Sequence, residues 1–94
     1  MDSVNKTNAY VYFIQAENSG YIKIGYATNV QKRLATLQTA SPEKLVLLAQ
    51  VEGDTELEKK LHKKFRVYRV RGEWFKPDHR LVRFVKQKDL TCGN

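Results

Sequence analysis

Two apolar runs, split by a turn and followed at once by a helix, constrain this chain more than any other feature. Tyr10-Val11-Tyr12-Phe13-Ile14 is β-branched and aromatic on both faces, which predicts a central strand over residues 10–15. Glu17-Asn18-Ser19-Gly20 is turn chemistry, since Asn and Gly both tolerate positive φ. A second strand is predicted over residues 21–26. Ile22 and Ile24 point one way; Tyr21, Lys23 and Gly25 point the other. A turn closing around Glu17-Asn18 would set Tyr12 opposite Lys23, with Cβ atoms about 5 Å apart. A slip of one residue would send every side chain to the other face. Thr28 is an N-cap candidate, and Gln31 completes a capping box with it. The helix then runs to about residue 39 with Val30, Leu34 and Leu37 as its buried stripe. Arg33 lies beside that stripe, near the helix start, on the side that can look back at the hairpin.

The remainder supplies support. Ser41-Pro42 ends the helix. Residues 45–49, Leu-Val-Leu-Leu-Ala, read as a third strand. Gly53-Asp54-Thr55 is a turn and cap before a second helix. Leu57, Leu61 and Phe65 form its core stripe, Glu58 and His62 a neighbouring stripe one turn apart, and Lys59, Lys60, Lys63 and Lys64 its outer surface. Residues 68–71 read as extended, residues 72–75 as a tight turn carrying Trp74 and Phe75 onto the core. Pro77-Asp78 opens a last helix, with Leu81, Val82, Phe84 and Val85 inward. The expected fold is α+β: a small central antiparallel three-stranded sheet flanked by helices, in the order β-β-α-β-α-α. With 94 residues, a single domain over residues 9–88 is expected, with a disordered tail over residues 1–8 and a frayed end over 89–94.

Charge is unevenly spread. The net charge is +7, and residues 59–88 hold twelve of the 17 Lys and Arg against only Glu73 and Asp78. Such a stretch gathers polyanions. Phe65, Tyr68, Trp74, Phe75 and Phe84 are interleaved with it, which favours nucleic acid over a merely solvated helix face. No amphipathic anchor argues for an acidic lipid surface, and no apolar run approaches the roughly 20 residues of a membrane-spanning helix. The polar start lacks a secretory signal, and Cys92 stands alone, so no internal disulfide is available. The expectation is a protein that is not secreted and works in a reducing compartment: the cytoplasm, or the nucleus or a virus factory.

Several catalytic templates are absent: no phosphate-binding G-x-x-x-x-G-K-[ST] loop, no H-E-x-x-H, and too few Cys and His for structural zinc. What is present is an ordered set. Tyr10-Val11-Tyr12-Phe13-Ile14, Lys23-Ile24-Gly25 and Arg33 come first. Then follow residues 58–65, Glu-Lys-Lys-Leu-His-Lys-Lys-Phe, and residues 71–75, Arg-Gly-Glu-Trp-Phe. This set resembles the GIY-YIG nuclease superfamily. Within it, the set resembles a branch found in phages, large DNA viruses and bacteria that includes the fungal meiotically up-regulated type. The resemblance covers roughly residues 9–77. The final Tyr of the GIY element falls on Tyr12, while its first Gly falls on Tyr10, a departure. The Tyr of YIG falls on Lys23, so the element reads KIG, and its Gly falls on Gly25. The helix Arg falls on Arg33 and the acidic metal ligand on Glu58.

The resemblance implies hydrolysis of DNA phosphodiester bonds with one divalent metal, Mg2+ or also Mn2+. A metal on Glu58 would polarise the phosphate. Arg33 would grip it with a planar fork. Tyr12 would position or deprotonate the attacking water, and Lys23 would ease that task, since a phenol of ordinary pKa, about 10, is a poor base. His62 would act at the site's edge. Lys32, Lys59, Lys63, Arg69 and Arg71 would track the DNA backbone, which positions a protein without reading sequence. Little intrinsic sequence specificity is therefore expected, from a monomer or homodimer that borrows specificity from a partner protein or from DNA shape. Each residue also has a plainer reading. Tyr12 can be a core aromatic, Lys23 and Arg33 surface residues, and Gly25 a strand end. Glu58 can be the capping-box partner of Thr55, and Glu73 and Trp74 a turn and a core plug. On those readings the chain is a catalytically inactive nucleic-acid-binding or regulatory module.

Overall fold

The computed structural model describes residues 8–88. The expected end at 89–94, and all of the expected tail but Asn8, lie outside the described residues. The chain runs β1 (Tyr10–Ala16), β2 (Ile22–Ala27), α1 (Val30–Thr39), β3 (Leu45–Glu52) and α2 (Thr55–Lys64). A 3-10 turn at Arg66–Tyr68 leads into β4 (Arg69–Arg71), β5 (Trp74–Phe75) and α3 (His79–Lys88). All pairings are antiparallel, in one sheet ordered β3-β1-β2-β5-β4. The expected three strands are therefore five, and the element order gains a hairpin before the last helix. β4 and β5 have three and two residues, too few for a period to be read. Gly72 makes their turn possible by taking φ +54, in the left-handed region.

β1 sits centrally, as its two apolar faces require. The hairpin closes differently from the expectation. Ala16 N donates to Tyr21 O at 2.9 Å, so the loop has four residues, 17–20, in place of two. Gly20 at φ +82 and Glu43, whose Oε1 accepts from Asn18 N and Ser19 N, shape it. The register moves by two: Tyr12 faces Gly25, and Lys23 faces Ile14. An even shift leaves every side chain on its predicted face. The α1 cap is Asn29, not Thr28; its Oδ1 accepts from Lys32 N at 3.0 Å. Asn caps at least as well as Thr, and with Asn29 in that position no box with Gln31 can form.

The two faces are covered unequally. Val11, Phe13, Ile22, Ile24, Ala49 and Phe75 pack beneath Leu61 and Phe65 of the α2 end and Leu81 and Val85 of α3. Each fully buried Ile or Phe there contributes about 1.5–3 kcal/mol. On the other face Tyr12, Ile14, Ala16, Ala27 and Leu45 meet only α1, through buried Val30 and half-buried Leu34 and Leu37. No helix among the described residues is long and apolar enough to cross a membrane.

Candidate active site

The shortness of β5 creates the site. Its pairing with β2 ends at Lys23 and Trp74, and Ile24 N donates to Glu73 O at 3.0 Å. Past that point β2 has an open outer edge. α2 closes it: His62 Nε2–H donates to Ile24 O at 2.8 Å, with its ring edge-on to Phe75 at 5.1 Å. That bond places the proton of a neutral ring on Nε2. One turn earlier on α2, Glu58 Oε2 lies 4.0 Å from His62 Nε2. Lys23 Nζ reaches Glu73 Oε1 at 3.1 Å and stands over the Trp74 ring at 5.5 Å.

Glu58 is not a capping residue. α2 is capped by Asp54, whose Oδ1 accepts from Glu56 N at 3.0 Å, and Thr55 is already helical, so the Thr55–Glu58 box does not form. The Glu58 side chain turns to Glu73 instead. Burial pushes its carboxyl above the ordinary range; a hydrogen bond with Glu73 and the Glu73 charge push further, while His62 and Lys23 pull it down. Glu58, His62 and Glu73 offer ligand atoms all within 4.8 Å of one another. Two crowded carboxylates suit a hard divalent cation, which would relieve their repulsion. With Nε2 given to Ile24 O, the His62 ring is pinned to β2 beside this pair.

Tyr12 lies on the other face of β1, fully buried, and its hydroxyl has no well-aligned hydrogen-bond partner among the described residues. A hydroxyl left so costs about 1–3 kcal/mol. Gly25 makes room for it: a Cβ at that position would run into the Tyr12 hydroxyl and ring. Burial raises the phenol pKa. Arg33 opposes this, standing near the hydroxyl without the alignment that would satisfy it, and the charges of Glu73 and Glu58 raise it further. The neutral phenol is a donor, not a base. The expected partnership of Lys23 with Tyr12 does not form. The register puts Gly25 in that place, and Lys23 is not among the groups acting on the hydroxyl. Arg33 is exposed, anchored by Nη1 donating to Tyr26 O at 3.4 Å.

The structure thus brings Glu58, His62 and Lys23 together, and sets Tyr12, Gly25 and Arg33 beside them. Lys32 shares with Arg33 a shallow groove of about 260 Å³ at the α1 start. Lys59 and Lys63 on α2, and Arg69 and Arg71 on β4, are exposed. Sequence reasoning missed Glu73 as a site residue. The available signal was its isolation, one of two acidic residues in the basic stretch 59–88.

Fold and site together define a small α+β domain in which a basic surface surrounds a pair of carboxylates. The T5orf172 domain family model matches residues 9–88, so the chain belongs to that family, a phage-derived domain associated with HNH- and GIY-YIG-like endonucleases. No curated protein and no solved structure gives a significant match.

Proposed function

We propose that this domain is a GIY-YIG-type endonuclease that hydrolyses DNA phosphodiester bonds with a divalent metal. The observation that carries the reading is the convergence of Glu58, Glu73, His62 and Lys23 on one strand edge, beside a buried phenol without a partner. Glu58 and Glu73 would hold Mg2+, or Mn2+, which when bound supplies charge neutralisation at the phosphate and at the leaving oxygen. Arg33 binds a non-bridging oxygen through the part of its fork not used on Tyr26. Tyr12, whose hydroxyl is enclosed between Gly25 and Arg33, would position the reacting group once a shift of Arg33 toward the phosphate uncovers its O–H. His62, pinned to Ile24 O, lends Glu58 positive charge when protonated, and Lys23 balances Glu73 until the cation is bound. Lys32, Lys59, Lys63, Arg69 and Arg71 contact the DNA backbone, so cleavage has little sequence preference.

One observation favours a second reading. Lys23 already neutralises Glu73, which would suit a DNA-binding module that does not cut. Plasmid nicking by the purified protein decides between them, run with Mg2+, Mn2+ or EDTA beside Arg33→Ala and Glu58→Ala. Metal-dependent nicking that falls about a hundredfold in both variants supports the endonuclease. Salt-sensitive DNA binding with no nicking under any metal supports the module.

A further inference from the structure

A groove of about 440 Å³ opens on the α1 side of the sheet, where α1 does not reach, lined by Tyr21, Leu45, Val70, Arg71 and Trp74, with Glu43 at one wall. Among the described residues three large hydrophobics are exposed, Tyr21, Val67 and Val70, and two of them are here. Among the described residues the Tyr21 ring stacks on nothing, and its side chain makes no hydrogen bond. Glu43, the only carboxylate on the wall among the described residues, is committed to the hairpin loop through Asn18 N and Ser19 N. Trp74 is the partition between this groove and the carboxylate pair. It is cross-strand from Lys23, carries the Lys23 ammonium over its ring, and follows Glu73 in the chain.

We infer that this groove takes an unpaired nucleobase of the strand being cut, stacked on Tyr21 against the Trp74 wall, with Arg71 at the rim for the adjoining phosphate. This rests on the endonuclease reading and deepens it, because it selects single-stranded or locally opened DNA. The chemistry points to a base. Aromatic faces accept any base by stacking, and Trp74, paired with Lys23, puts the groove next to the proposed phosphodiester site. The other large groove, of about 460 Å³ between α2 and α3, lacks this property. There Lys64 stands over Phe65 and Phe84, Lys88 stands over Phe84, and no lining aromatic is exposed as Tyr21 is.

Trp74 is the only tryptophan in the chain, so its fluorescence reports on the groove and on the Lys23–Glu73 pair beside it, and the abasic strand separates the two. The full chain is titrated in EDTA at low ionic strength with short oligothymidylate, with an abasic oligomer of equal phosphate number, and with the matching duplex. Oligothymidylate is expected to quench Trp74, and the duplex and abasic strands to quench little and bind about tenfold more weakly. Tyr21→Ala and Val70→Ser, both charge-neutral changes at exposed positions, are each expected to weaken oligothymidylate, Tyr21→Ala about tenfold, while leaving the abasic strand unchanged. Equal binding and quenching by abasic or duplex DNA would overturn the proposal. So would variants that bind oligothymidylate normally but change the sedimentation of the protein, which would make the groove a protein-docking surface. Cleavage is read separately. Nicking without base-dependent quenching removes the groove and leaves the endonuclease; base-dependent quenching without nicking removes the endonuclease and leaves the groove.

Discussion

The two faces of the sheet are built from the same strands and do different work. The face under α2 and α3 is closed, and its strand residues are Val, Phe, Ile and Ala with no polar atom to satisfy. The face under α1 is covered by one helix and carries Tyr12, Lys23, Gly25 and Trp74 on alternating positions of the same strands. Stability is concentrated where two helices meet the sheet. The unsatisfied hydroxyl, the exposed arginine and the open groove occur where only one does. Strand alternation lets one short segment serve both, because neighbours in sequence face opposite ways.

The sharpest way to break this division is to cut into each face. Phe75→Ala on the closed face should cost about 3–5 kcal/mol in urea denaturation, most of what a domain of this size has. Leu37→Ala under α1 should cost clearly less; equal losses would mean that the faces share the stabilising role. Next comes Gly25→Ala, which forces a methyl into Tyr12 and should cost about 1–3 kcal/mol. Tyr12→Phe should do the reverse. It removes the orphan hydroxyl, so the variant should gain about 1 kcal/mol while losing nicking activity. A Tyr12→Phe protein that is less stable would show that the hydroxyl is satisfied in solution. The smallest effect belongs to Glu58→Gln. The Glu58 carboxyl is pushed up in the fold, so its ionised form is penalised there. That penalty is absent below the ordinary carboxylate range and grows as pH rises through the raised pKa. Glu58→Gln should therefore melt higher at neutral pH without metal, by about 0.5 kcal/mol given the solvent that still reaches the pair. The advantage should vanish on acidification, and Mg2+ should stabilise the parent but not the variant.

Most of the frame could be read from the chain. β1, β2, α1, β3, α2 and α3 all announce themselves by composition, period or cap. β4 shows in the sequence only as the extended stretch expected over residues 68–71, and β5 does not show, because a two-residue strand has no local signal and exists only through its partners β2 and β4. The same holds for the site. Tyr12, Arg33, Glu58 and His62 stand out by type and spacing. Glu73 becomes a neighbour of Glu58 only when β5 pairs with β2, a contact no sequence window contains. The pairing expected between Lys23 and Tyr12 failed on a turn of four residues in place of two. The side-chain face survived because the difference was even.

β4 has one more consequence. It is the outermost strand on its side of the sheet, and its three residues, Arg69, Val70 and Arg71, are all exposed. An unpaired strand edge is a template on which another chain can add itself, and proteins blunt it with brevity and charge. Here both devices coincide. A second copy approaching edge to edge would bring arginine against arginine over a stretch too short for a ladder. Arg69→Val with Arg71→Val should turn this edge into a nucleus for aggregation, which light scattering on warming would detect.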